Sequence, residues 1–331
     1  MANFWEQWPH HFATVADGIE LHYVDLGPRD ATPLVLCHGW PDLWFGWRYQ
    51  IQALSKRYRV IAPDLRGFGK SSVPKSLDGY GTKKVTNDLA KLLDILNIPK
   101  AVFIGHDWGG AIVWRMCMFH PARVLAVCGI CTPYFPQGEA CVSTEALTAA
   151  IPEFTYMQLL SKPDEAAKLL DAAPRRLFTA TYRHPHEHPV NMVYLNVLRN
   201  LVTSDESLYT TPSALLTADE MDYYVREYSR TGFYGASAYY AMREQDFEDE
   251  KALPREIPHQ AMYIGAASDP ILKPQLAKGM GRVLPNFHEE LVEGAGHWIL
   301  WSHKEQVTAV IESWLDKLAV DGHLPAPTSS L

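Results

Sequence analysis

The run Val102-Phe-Ile-Gly-His-Asp107-Trp-Gly-Gly-Ala111 holds the chain's most informative chemistry. A β-type run ends at Gly105 and a helical pattern starts just past Gly109. This is the strand–turn–helix setting of a G-x-S-x-G nucleophile elbow, with Asp107 in the serine's place. The two glycines would permit the close backbone approach that such a turn demands. Two later residues complete a set. Asp269 in Ala267-Ser-Asp-Pro270 follows an apolar run at Met262 to Ala266, and His297 in Gly294-Ala-Gly-His-Trp298 follows one at His288 to Val292. Singly these are a helix cap, an Asp-Pro turn and a histidine in a glycine-rich loop. Together, in the order nucleophile, acid, histidine and each just past a strand, they read as a catalytic triad.

A carboxylate nucleophile restricts the reaction. A serine oxygen displaced onto a saturated carbon gives an ether that water cannot open, whereas a carboxylate gives an ester that can still be hydrolysed. With a pKa near ~3.9 an aspartate needs no base to activate it. His297 is then free to take a proton from water in a second step, with Asp269 fixing its tautomer. The set therefore predicts displacement at an sp³ carbon followed by ester hydrolysis, and argues against peptidase and lipase chemistry.

These residues need a scaffold. Strands are expected at His11–Ala16 and Ile19–Leu26, around the Asp17-Gly18 turn, and at Pro33–His38, Tyr58–Ala62, Ala101–Gly105 and Val124–Ile130. The last four are short, apolar runs, as in strands buried on both faces. Between them Val85, Leu89, Leu92, Leu93 and Leu96 recur at helical spacing, as do Ile112, Val113, Met116 and Phe119. A final amphipathic helix carries Val307, Val310, Ile311, Trp314, Leu315 and Leu318. Strands alternating with helices imply an α/β fold with a mostly parallel sheet. Residues 134–246 break the rhythm. They show helical patches (Ala166 to Leu170, Met192 to Leu201, Asp219 to Tyr228), no clear strand, and 11 of the 16 tyrosines. The expected organisation is a core of residues 1–133 and 247–331, with residues 134–246 inserted as a helical cap over the carboxyl edge of the sheet, where ligand sites form.

Composition sets further bounds. A net charge of −8 without a basic run lacks a nucleic-acid footprint, and no apolar stretch reaches the ~20 residues of a membrane span. The first twenty residues show no secretory pattern. Five cysteines are too few and odd in number for a disulfide scaffold, and Cys128 and Cys131 lie in a β-rich run where nothing would activate a thiol. The expectation is a cytoplasmic, reduced protein. Gly67-Phe-Gly-Lys-Ser71 imitates the end of a phosphate loop, but Asp64 stands where the pattern needs glycine. His184, His186 and His188 could share a strand face toward a metal, yet two prolines interrupt them. Ser329-Ser-Leu331 has lost the basic residue of a peroxisomal address. Trp5, Trp8, Trp44, Trp47 and Trp114 fit core packing better than a pocket.

With these motifs in hand, a family resemblance is plain over nearly the whole chain. His38-Gly39-Trp40-Pro41, His106-Asp107-Trp108-Gly109-Gly110 and the loop Asp64-Leu-Arg-Gly-Phe-Gly-Lys-Ser71 resemble the soluble epoxide hydrolases of the α/β-hydrolase superfamily. The resemblance implies an α/β-hydrolase fold with a cap, a cis Trp40-Pro41 bond, and an oxyanion hole of the Trp40 and Trp108 backbone N–H groups. His38 and His106 would then hold the oxyanion loop. It also implies two cap tyrosines as donors to the epoxide oxygen. Pro152-Glu-Phe154-Thr-Tyr156 and Gly232-Phe-Tyr-Gly-Ala-Ser-Ala-Tyr-Tyr240 carry the matching motifs, so Tyr156 and Tyr240 are the candidates, with Tyr239 the rival of Tyr240. Trp108, Tyr156, Tyr240 and Trp298 would line the substrate pocket. The substrate is expected to be a small apolar epoxide, cleaved with water to a vicinal diol without metal or organic cofactor, in epoxide detoxification or lipid-epoxide turnover. Two alternatives stand beside this: haloalkane dehalogenases share the aspartate and the following tryptophan, and some members of the superfamily are receptors or carriers. A halide needs only weak N–H donors, whereas an alkoxide leaving group needs a hydroxyl, so the cap tyrosines separate the first pair.

Overall fold

The structure, a computed structural model, describes residues 3–187 and 194–325. Eight strands form one sheet: β1 (His10–Ala16), β2 (Ile19–Leu26), β3 (Pro33–Cys37), β4 (Arg59–Pro63), β5 (Ala101–His106), β6 (Val124–Ile130), β7 (Gln260–Ala266) and β8 (Phe287–Val292). The order across the sheet is β1-β2-β4-β3-β5-β6-β7-β8. The two pairings of β2 are antiparallel, and every pairing from β4 through β8 is parallel. The parallel centre is buried throughout: β4 and β5 expose no residue and β3 only its first in part. That is the physical reason these strands read as unbroken apolar runs rather than as alternation.

Helices cover both faces. Trp108–Phe119 packs on β5 and β6 with Thr82–Ile95 beside it, and Arg48–Leu54 packs against the terminal helix Lys304–Val320. Arg48–Leu54 leaves no clear mark in the sequence, because seven residues are too few for a period to show. Between Thr144 and Glu250 every described element is helical or a 3₁₀ turn, and many are short. Pro163 and Pro174 stand at the first turns of successive helices, where a missing N–H is harmless. The division expected between residues 246 and 247 falls inside one helix, Arg243–Glu250. Asp246 accepts from the Thr82 N–H at 2.7 Å, and Glu250 accepts from the Thr82 hydroxyl at 2.9 Å. This helix is thereby bound to the N-terminus of Thr82–Ile95, where acidic groups are favoured. His188 and Ser329 to Leu331 lie outside the described residues, as do Met192 and Val193 of the expected helical patch. The remainder of that patch forms the helix Tyr194–Arg199.

The helical layer is held to the core beside the Trp40-Pro41 bond, which is cis. Tyr182 donates to the Pro41 carbonyl (2.7 Å), Tyr224 to Asp42 Oδ1 (2.6 Å), Tyr228 to the Asp42 carbonyl (3.2 Å) and the Trp44 indole to the Tyr223 oxygen (2.8 Å). The buried pair Arg48–Glu220 (2.7 Å) closes the same seam. All of Tyr223, Tyr224 and Tyr228 come from one helix, Ala218–Thr231, whose start is closed by a Thr217/Glu220 capping box.

Candidate active site

Asp107 sits between β5 and the helix Trp108–Phe119 at φ +53°, ψ −122°. Few non-glycine residues adopt this conformation, and holding it costs about 1–3 kcal/mol of backbone strain. The neighbouring glycines make room for it. A Cβ on Gly105 would stand 2.1 Å from the Gly109 carbonyl oxygen, and one on Gly109 would stand 2.0 Å from that of Cys37. The carboxylate makes no cap to its own helix. Oδ1 instead accepts the Trp40 N–H at 2.7 Å, and the Trp108 N–H is a second donor to the same group. Burial pushes the Asp107 carboxyl above its ordinary value; His297 and these two N–H groups pull it back.

The loops after β7 and β8 bring the other two members to it. Asp269 Oδ1 accepts from the N–H of Ile271 (2.8 Å) and Leu272 (2.9 Å), which aims Oδ2 at His297 Nδ1, 2.8 Å away. Asp269 is held below the usual carboxylate value: burial acts to raise it, but the His297 charge and hydrogen bond outweigh that. With Nδ1 committed, His297 turns Nε2 toward Asp107 Oδ2 at 3.8 Å. That is too far for a hydrogen bond and close enough for one water to touch both. Burial acts to lower the His297 pKa, yet the carboxylates of Asp269, Asp107 and Asp42 raise it to about 9.

Tyr156 and Tyr240 lie on the opposite side, their rings 5.9 Å apart at 78°, with Tyr240 also 5.1 Å from Trp108 and 6.0 Å from Trp40. Burial, reinforced by the Asp107 charge, holds both phenols well above their ordinary pKa, so both stay protonated. Tyr239 lines the same cavity with its ring, 5.6 Å from that of Trp108, but its hydroxyl is committed elsewhere, donating to the Arg66 carbonyl at 2.8 Å. Trp298 packs against His297, and its indole N–H donates to the Thr181 carbonyl at 2.6 Å. His38 accepts the Leu65 N–H on Nε2 (3.0 Å) and donates from Nδ1 to Gly39 (2.9 Å), bracing the oxyanion loop. His106 Nε2 lies 2.9 Å from the His297 carbonyl.

Asp42 carries no sequence signal of its own, although it follows the motif proline directly. It is fully buried, and burial pushes its pKa up to about 7 against the Tyr224 and Leu43 hydrogen bonds. Its tyrosine partners, Tyr224 and Tyr228, lie 182 and 186 positions away, so only the fold could pair them. The sequence look-alikes resolve physically. The Gly67-to-Ser71 loop turns an amide, Lys70 N–H, onto Asp64 Oδ2 (2.9 Å), so a carboxylate fills the place of a phosphate. Cys128 and Cys131 are buried, unpaired thiols whose pKa burial raises. His184 and His186 stack on each other. Trp5, Trp44, Trp47 and Trp114 are core residues.

Comparisons with known proteins bear on the fold and the family. Residues 32–304 match the alpha/beta hydrolase fold family, and residues 2–47 match the epoxide hydrolase N terminus family. The chain is 31% identical to epoxide hydrolase A of Mycobacterium tuberculosis over 315 residues, covering 91% of this chain and 96% of that one. It is 34% identical to bifunctional epoxide hydrolase 2 of Mus musculus over 310 residues, covering 92% of this chain. The chain spans only about half the length (55%) of that mouse protein and of its rat counterpart. The crystal structure of epoxide hydrolase A from Mycobacterium thermoresistibile superposes with a TM-score of 0.82 at 31% identity, covering 93% and 98% of the two chains. The chain belongs to the α/β-hydrolase superfamily and, within it, to the epoxide hydrolase family.

Proposed function

We propose that this protein hydrolyses epoxides to vicinal diols through a hydroxyalkyl ester on Asp107, with residues 134–246 as the cap that brings the phenols to the site. The observation that carries the reading is the pair of protonated tyrosines, Tyr156 and Tyr240, lining one cavity with a carboxylate already seated on two backbone N–H groups. Asp107 Oδ1 stays on the Trp40 N–H, with the Trp108 N–H a second donor to the carboxylate, and Oδ2 attacks a ring carbon. The ring C–O bond breaks, and the departing oxygen takes a proton from the phenols. His297 returns its proton to the phenolate and, now neutral, takes one from water through Nε2 as the hydroxide attacks the ester carbonyl. The two N–H groups hold the developing oxyanion, and the ester C–O bond breaks. The water's second proton, left on the Asp107 carboxyl, passes to the departing diol oxygen, so that Asp107 is anionic and His297 cationic again.

The electrostatics suit this order. In the free enzyme the neighbouring carboxylates raise the His297 pKa to about 9, so it is cationic at neutral pH, and its charge opposes the burial that pushes the Asp107 carboxyl up. Esterification erases the Asp107 charge, one of the causes holding the His297 pKa high. The histidine therefore gives up its proton more readily, and is free to act as a base, once there is an ester to hydrolyse. A haloalkane reading fits less well, because the Trp108 indole is engaged with Tyr240 and phenols stand where halide donors would. Saturable epoxide binding without diol formation would instead mark a receptor or carrier. Among the described residues no helix is long and apolar enough to cross a membrane, and the five cysteines are free; we assign the protein to the reducing cytoplasm.

His297→Gln tests the mechanism. It should retain the first step and block the second, so that one equivalent of epoxide accumulates as a mass increment on the peptide bearing Asp107. Turnover should fall about 10³-fold or more. Diol release at an undiminished rate, with no adduct, would overturn the ester pathway.

A further inference from the structure

The spaces on the two sides of Asp107 differ about tenfold. Asp107, Tyr156 and Tyr240 line both. The larger, about 420 Å³, runs over Trp108 and is walled by apolar side chains including Val142, Leu147, Ile151 and Phe154. The smaller, about 40 Å³, is walled among the described residues by Trp40, Leu198, Ile271, His297 and Trp298. His297 lines only the smaller one, so the hydrolytic water must stand there. A water needs roughly 10–15 Å³ of such space. What remains beside it is the space of roughly two more waters, room for a short substituent and not for a long arm.

From this we infer that the preferred substrates are terminal epoxides with a single long apolar arm, which lies in the large chamber while the unsubstituted end of the ring points to the water chamber. The inference rests on the epoxide hydrolase reading and adds the shape of the substrate to it. A second large substituent would have to enter the small chamber, where it would overpack the wall and also displace the water needed for the second half-reaction. The walls are fixed by packing: Trp298 is stacked on Trp301 at 4.8 Å and tied to Thr181, and Trp40 is set by the loop bound to Tyr182 and Tyr224. Misfit in such a pocket discriminates roughly 10- to 200-fold per small group.

Two isomers decide the matter. Purified enzyme is given 1,2-epoxydecane and trans-5,6-epoxydecane, which share composition and differ only in where the ring sits, and diol formation is followed by chromatography. The expected kcat/KM favours the terminal isomer by about 100-fold. Leu198→Ala, which opens the small chamber, should shift the kcat/KM ratio about tenfold toward the internal isomer. In a complementary arm, Leu147→Trp narrows the large chamber. It should lower the kcat/KM ratio of 1,2-epoxydecane to 1,2-epoxypropane strongly. Equal rates for the two isomers in the unmodified enzyme would overturn the asymmetry while sustaining the epoxide hydrolase reading. No diol from either isomer, or from 1,2-epoxypropane, would instead sink that reading itself.

Discussion

Two buried aspartate–histidine pairs stand in this molecule with the same geometry and different fates. Asp269 Oδ2 is 2.8 Å from His297 Nδ1, and Asp64 Oδ2 is 2.8 Å from His22 Nδ1. In both, the carboxylate's other oxygen takes backbone N–H groups: Ile271 and Leu272 for Asp269, Trp44 at 3.0 Å for Asp64. What separates them is the far nitrogen. His22 Nε2 is closed by His10 Nδ1 at 2.7 Å, in a stack bordered by Trp44 and Phe12. His297 Nε2 opens on the chamber beside Asp107. An oriented imidazole is therefore not a base by virtue of its carboxylate. It becomes one when its second nitrogen meets a space that can hold water and an electrophile.

Replacing the carboxylate in each pair should break the likeness most sharply. Asp269→Asn favours the wrong His297 tautomer and removes the charge that holds it, so turnover should fall about 10⁴-fold. The melting temperature should move far less in proportion. Asp64→Asn should do the reverse. It disturbs the anchor of His22, Trp44 and Lys70, and a buried polar group left poorly paired costs about 1–3 kcal/mol. A fall of several degrees in melting temperature is expected, with kcat nearly intact in the folded fraction. Calorimetry and steady-state kinetics on the same two preparations test the contrast, and similar kcat losses in both variants would abolish it.

A second contrast lies within the helical layer, between tyrosines we propose as donors to the epoxide and tyrosines that hold the structure. Tyr156→Phe and Tyr240→Phe should each lower the rate of ester formation about 10²-fold, read in single-turnover experiments, because each removes one donor to the leaving oxygen. Removing both should cost far more than either. Tyr239→Phe removes a hydroxyl bonded to the Arg66 carbonyl and should affect stability more than ester formation. If Tyr239→Phe showed the kinetic loss and Tyr240→Phe did not, the two adjacent rings would have to exchange roles.

The same contrasts separate what local sequence announces from what only the fold brings together. Asp107, Asp269 and His297 are legible in the sequence because each follows a strand and lies among glycines or a turn. The parallel strands are legible within one or two residues, because burial on both faces leaves an unbroken apolar run. The Asp64–His22–His10 chain is not, since its members come from three elements and nothing near any of them signals the others. The same holds for Asp42 and Tyr224, 182 positions apart. Most of the short helices between Thr144 and Glu250, Pro163–Leu170 and Tyr194–Arg199 excepted, are hidden for a different reason. Pieces of four to eight residues separated by prolines hold too few turns to show a period.

The smallest expected effect concerns acid. Burial, with the neighbouring Lys70 and His22, lowers the His10 pKa to about 4. The folded protein therefore refuses a proton that the unfolded chain accepts near ~6.5. Between these values the unfolded state binds more protons, so stability is intact above ~6.5 and declines as pH falls toward 4. His297 works oppositely. Its folded pKa of about 9 lies above the unfolded value, so its contribution is full below ~6.5 and fades as pH rises through 9. His10→Asn should flatten the acid limb of a melting-temperature profile between pH 6.5 and 4 while leaving the alkaline limb unchanged. An alkaline limb that flattened instead would mean that the sealed pair, rather than the open one, carries the charge.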